Sequence, residues 1–67
     1  MPKVRDAIRL VEGDGWKHVR TRGSHRHYRH STKTVIVTIA GKLSKELAPK
    51  TWNSILKQAG IHEGGQS

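Results

Sequence analysis

At 67 residues the chain can hold one small domain, and a core of that size is marginal unless a partner, a metal or disulfides assist it. It has no cysteine, which excludes disulfides and thiolate metal sites, and no apolar run suited to a signal peptide or a bilayer span. A soluble cytoplasmic protein with no membrane association is therefore expected, and its net charge of +8 is unevenly spread.

Residues 1–15 sum to zero and residues 34–67 to +2, whereas residues 16–33 carry six Lys or Arg, no acid, and four of the five histidines. A one-sided basic stripe is the electrostatic footprint of a polyanion binder. A merely solubilising face usually intersperses both signs. A membrane-surface role would need an apolar helical face beside the charge.

Pro2 suits a first helical turn, and Val4, Ile8 and Val11 recur at spacings of four and three, widened by Ala7 and Leu10. This predicts a helix over 3–12 that Gly13-Asp14-Gly15 ends. Residues 16–21 (WKHVRT) read as a strand, Arg22-Gly23-Ser24 as a turn, and 25–30 (HRHYRH) as a second strand poor in apolar residues. After a short turn at 31–33, the β-branched run 34–40 (TVIVTIA) reads as the third strand. A loop over 41–47 leads to a second helix opened by Pro49, or by Thr51 as N-cap, with Trp52, Ile55, Leu56 and Ala59 on one stripe. Gly60 ends that helix, Ile61 can fold back onto it, and 62–67 (HEGGQS) is expected to be a disordered tail beyond a single domain of residues 1–61. The order is α-β-β-β-α. It predicts an α+β fold with a three-stranded antiparallel sheet and two helices on one face, the layout of a double-stranded-RNA-binding-domain-like fold.

Alternate residues of a strand share a face. Tyr28 is the only large ring of the second strand, so its side should meet the helices together with Arg26 and His30. His25, His27 and Arg29 are then left on the uncovered face. RNA can be cleaved through its own 2′-hydroxyl. That reaction needs a base for the hydroxyl proton, an acid for the leaving 5′-oxygen and cationic donors for the phosphoryl oxygens. Histidine suits both proton steps, with an unperturbed pKa of about 6.5, and arginine supplies the donors. His25 and His27 also form a metal half-site, but they lack an evident third ligand and sit in a +6 neighbourhood. No cofactor is expected. Trp16 and Trp52 are expected as core anchors. The residues alone leave three readings open: a ribonuclease, a non-catalytic RNA-binding module, and a basic protein that docks an acidic partner.

The helix followed by Gly15-Trp16, the run Arg20 to Tyr28 (RTRGSHRHY), the strand from Thr34 to Ile39 and the closing WNSILKQAGI resemble, in order and spacing, the HicA (YcfA-like) toxin family of bacterial type II toxin–antitoxin modules. The resemblance covers about residues 3–61, and Gly23-Ser24-His25 is its most specific element. It implies the same double-stranded-RNA-binding-domain-like fold, metal-independent endoribonuclease activity on mRNA, and a HicB-like antitoxin as protein partner; the free form is expected to be a monomer. The family's essential histidine corresponds to His25. Many members carry a second histidine directly after it. Here Arg26 stands at that place and His27 follows, so His27 is the candidate helper. Lys17, Arg20, Arg22, Gly23, Ser24, Arg26 and Arg29 are the candidate RNA-binding residues.

Overall fold

The computed structural model describes residues 1–61; the segment 62–67, expected as a disordered tail, lies outside the described residues. Helix α1 spans Val4–Gly13, strands β1, β2 and β3 span Trp16–Arg22, His25–His30 and Val37–Ala40, and helix α2 spans Pro49–Ala59. The strands form one antiparallel sheet in the order β1-β2-β3. This is the α+β arrangement expected from the sequence.

The apolar stripe of α1 places Val4, Ala7 and Val11 in the core, where they meet Trp16, Tyr28, Val37 and Ile39 from one face of the sheet and Ile55 and Ala59 from α2. Leu47, on the loop between β3 and α2, completes the cluster, and Ile8, Trp52 and Ile61 pack at its margin. Among the described residues no polar side chain is fully buried. The two aromatic anchors of the sheet, Trp16 and Tyr28, are each 1% exposed. Burial of the Tyr28 phenol pushes its pKa above the ordinary 10.0.

The helix ends are satisfied in two ways. The backbone N–H groups of Val4 and Arg5 donate to the carbonyls of Lys45 (2.8 Å) and Leu43 (3.1 Å), and Asp6 Oδ2 accepts from the Lys3 N–H at 2.7 Å. Remote loop carbonyls thus fix where α1 begins. In α2 Pro49 occupies the first turn after Ala48, so Thr51 is not the N-cap. At its other end Gly60 adopts φ 68°. The Ile61 and Gly60 N–H groups donate to Leu56 and Lys57, a Schellman closure that brings Ile61 back onto the core.

Strand β3 begins at Val37, three residues later than the β-branched run suggests. Its pairing with β2 ends at Tyr28↔Val37, and Val35 and Ile36 are about half exposed at 51% and 48%. The Lys33 ammonium donates to Asp14 Oδ2 and to the Ala59 carbonyl, both at 2.8 Å, and lies 5.7 Å from the Trp16 ring centroid. That contact ties the connection to the ends of both helices, and pairing with β2 begins at Val37. The ammonium holds the Asp14 carboxyl below its ordinary 3.8. The Trp16 indole N–H helps, although it reaches no hydrogen-bond geometry itself.

Candidate functional site

Directly opposed residues of an antiparallel pair share a face. From Trp16, which is buried, strict alternation along β1 would send His18, Arg20 and Arg22 to the helix side. The register departs from this. Lys17 opposes Arg29 and His18 opposes Tyr28, but Arg20 opposes His27 and Arg22 opposes His25, leaving Val19 as a β-bulge. One extra residue reverses the face of everything that follows it. The bulge therefore puts Lys17, Arg20 and Arg22 on the same uncovered face as His25, His27 and Arg29. His18 and Thr21 both stay on the other side, where His18 Nε2 and Thr21 Oγ1 bond at 2.5 Å across the bulge.

The uncovered face is built in three rows across the sheet. The first holds Arg22, His25 and Ala40, the second Arg20, His27 and Thr38, and the third Lys17 and Arg29. His25 follows a two-residue hairpin turn, Gly23-Ser24, in which Gly23 has φ 60° and Ser24 a negative φ, the pattern of a type II′ turn. The turn is pinned by the Gly41 N–H donating to the Ser24 carbonyl at 3.0 Å. Among the described residues the exposed His25 ring makes no hydrogen bond, and its β3 neighbour is the small Ala40. His27 is half-buried, its Nδ1 3.1 Å from Thr38 Oγ1. Lys17, Arg20, Arg22 and Arg29 are exposed. The expectation that His25, His27 and Arg29 share the open face is met.

The other basic and imidazole groups of the hairpin are engaged internally. Arg26 is half-buried on the helix side and its Nη1 donates to the Gly41 carbonyl at 3.0 Å, so the structure separates it from the remaining candidate RNA-binding residues. His30 Nδ1 accepts from the Thr32 N–H at 3.1 Å, which places the ring proton on Nε2, and Nε2 donates to the Asp14 carbonyl at 2.8 Å. Its ring also meets Trp16 edge-on, with centroids 5.3 Å apart. The His18 ring meets Tyr28 at a tilt, with centroids 5.5 Å apart. Sequence reasoning missed Thr38, Ala40 and the bulge at Val19. The first two follow from the register of β3, and nothing in the string WKHVRT marks the third.

The fold and this face define a small basic α+β protein with cations and two imidazoles gathered on one uncovered sheet face and the opposite face closed by helices. Residues 4–61 match the family model described as the HicA toxin of bacterial toxin–antitoxin systems, and the chain belongs to that family. No curated protein matches the chain. Membership makes it a toxin of the toxin–antitoxin class, whose members are in general ribonucleases. No helix among the described residues is long and apolar enough to cross a membrane, and no three His, Asp or Glu side chains among them gather as a metal site.

Proposed function

We propose that this chain is a cytoplasmic endoribonuclease toxin that cleaves mRNA without a metal or cofactor, with His25 as the catalytic residue. The observation that carries the reading is the placement of His25: exposed, unbonded, directly after the Gly23-Ser24 turn, and beside Arg22 on the uncovered face. His25 takes the 2′-hydroxyl proton. The attacking oxygen then forms a bond to phosphorus as the bond to the 5′-oxygen breaks, leaving a cyclic phosphate. The guanidiniums of Arg22 and Arg20 stabilise the charge gathering on the phosphoryl oxygens. His27 lies two residues along the same strand face, roughly 7 Å away by strand rise. It is the helper that returns a proton to the leaving oxygen, with its ring oriented by Thr38. Lys17 and Arg29 hold flanking phosphates, Gly23 and Ser24 let the backbone approach the RNA, and Arg26 acts indirectly by fixing the loop at Gly41. The free form is a monomer, and its protein partner is a HicB-like antitoxin.

The test is labelled RNA in excess EDTA with wild-type protein, with His25→Ala, and with buffer. Cleavage by wild type alone is expected. Undiminished cleavage by a folded, purified His25→Ala protein would overturn the assignment, and a mobility shift without cleavage in both proteins would identify a binding module.

A further inference from the structure

The third strand has a free outer edge, and a pocket opens beside it. Closely and widely spaced pairs alternate along an antiparallel ladder. The Gly41 N–H donates to the Ser24 carbonyl, directly beyond the His25↔Ala40 pair. Gly41, Ile39 and Val37 therefore turn their backbone groups toward β2, whereas Thr38 and Ala40 turn theirs away from it. Among the described residues these outward N–H and C=O groups take no backbone partner. They stand as ready donors and acceptors for whatever lies beside the edge. That space is a pocket of about 330 Å³ between β3, the loop before α2, and α2 itself. Leu47 and Ile55, both almost fully buried, give it apolar surface. Thr51, Ser54 and Gln58, at spacings of three and four on α2, line one wall with polar groups. Gln58 Nε2 donates to Ser54 Oγ at 3.3 Å, which leaves the Gln58 carbonyl to accept and the Ser54 hydroxyl to donate. Lys45 stands at the Ala40 end, its stem crossing Gly41 so closely that a Cβ there would meet its Cδ at 2.8 Å.

The pocket adjoins the uncovered face. Thr38 and Ala40 line it, and they also stand opposite His27 and His25 across one inter-strand spacing of about 5 Å. We infer that it is a base-binding subsite. A nucleobase next to the scissile bond turns off the sheet face over β3 and lies in the pocket. Its hydrogen-bonding edge meets the outward groups of Thr38 and Ala40 on one side and Ser54 and Gln58 on the other. A partly apolar slot with a few convergent donors and acceptors suits a heterocycle that carries both. The inference rests on the ribonuclease reading and adds a determinant of where the RNA is cut. A strand from a protein partner is the other ligand that a free sheet edge takes. Here only two residues turn their groups outward, fewer than an ordinary strand of about five or six residues would pair with.

The experiment uses the full chain and DNA oligonucleotides that contain one ribonucleotide, so that the cut can occur at one place only. The base is removed from each nucleotide around the cut in turn, with the sugar–phosphate chain left intact. At one position next to the cut, loss of the base is expected to lower kcat/KM by about tenfold or more, and elsewhere by less than about threefold. Ser54→Leu fills the pocket from the exposed surface of α2, and Gln58→Ala removes a polar wall group without adding bulk. Ser54→Leu should cut the intact substrate and that one abasic substrate at nearly equal rates, and Gln58→Ala should narrow the difference. Lys57→Ala, exposed on the same helix but outside the pocket, should keep the difference in full. A Ser54→Leu protein that discriminates as wild type does would overturn the subsite. A flat abasic profile would overturn it too, and would leave the β3 edge to a protein strand. If wild type cuts none of the oligonucleotides, the ribonuclease reading fails. The same abasic series read as binding by fluorescence anisotropy, with wild type and Ser54→Leu, then still decides whether a base enters the pocket.

Discussion

The two faces of the β1–β2 hairpin draw on the same residue types and use them differently. On the uncovered face His25 has no partner among the described residues, and Lys17, Arg20, Arg22 and Arg29 extend into solvent. On the helix side His30, Arg26 and, from the following loop, Lys33 are tied to the Asp14, Gly41 and Ala59 carbonyls. Composition counts all of these groups alike. The comparison teaches that only about half of the basic window is available to a ligand, and that the rest closes the ends of a core too small to close itself.

That contrast can be broken experimentally, most sharply at its histidines. His25→Ala should lower RNA cleavage at least about 100-fold with an unchanged thermal midpoint. His30→Ala should show the opposite pattern, a loss of about 1–3 kcal/mol in denaturant titration, because it leaves Asp14 and Thr32 groups unpaired. A reversal of the two outcomes would exchange the roles of the faces. Replacing Arg20 and Arg22 together by alanine should come next in effect. It removes the two cations that the bulge places on the uncovered face opposite His27 and His25. RNA affinity should then fall more than about tenfold, and its salt slope by about two, in a protein whose circular dichroism still shows a sheet. Gly15→Ala should cost roughly 1–3 kcal/mol, since Gly15 has φ 99° and a Cβ there would sit 2.9 Å from His30 Nε2. Chemical denaturation measures it, and a neutral result would mean that the turn and His30 relax together.

The smallest effect concerns the tether of the β2–β3 connection. Lys33 depresses the Asp14 carboxyl in the folded state. A depressed folded pKa means the contribution is present above the ordinary value of 3.8 and is lost as pH falls through the lower folded value. The pair is about one-third exposed, at 33% and 38%, so solvent screening keeps the contribution under about 1 kcal/mol. Thermal midpoints between pH 5 and 2 should therefore fall less steeply in Lys33→Met than in wild type. Parallel curves would show that the ion pair adds nothing measurable.

Much of the molecule was legible along the chain because the signals are local. The 3.6-residue apolar period placed α1 within one residue of Val4–Gly13, and Gly23 and the lone ring of Tyr28 placed β2 and its two faces correctly. The Gly-Ser-His run and the closing helix carried the family, and residues 4–61 bear it out. The third strand was read too long because β-branching reports what a segment can do in a sheet. Whether it pairs is decided by the path of the connection, which Lys33 bonds to Asp14 and Ala59, 19 and 26 residues away, at the helix ends.

Element order, the stripe that each helix buries and the concentration of charge in residues 16–33 are properties of neighbours in the chain, so the sequence alone specified them. Which of those charges face a ligand was settled only by folding. A bulge exists only as a mismatch between two paired strands, and a cation is engaged or free only relative to carbonyls brought near it from elsewhere. Val19 put Arg20 and Arg22 beside His27 and His25, and the Gly41 carbonyl took Arg26 away from them. The make-up of the uncovered face was set at those two places.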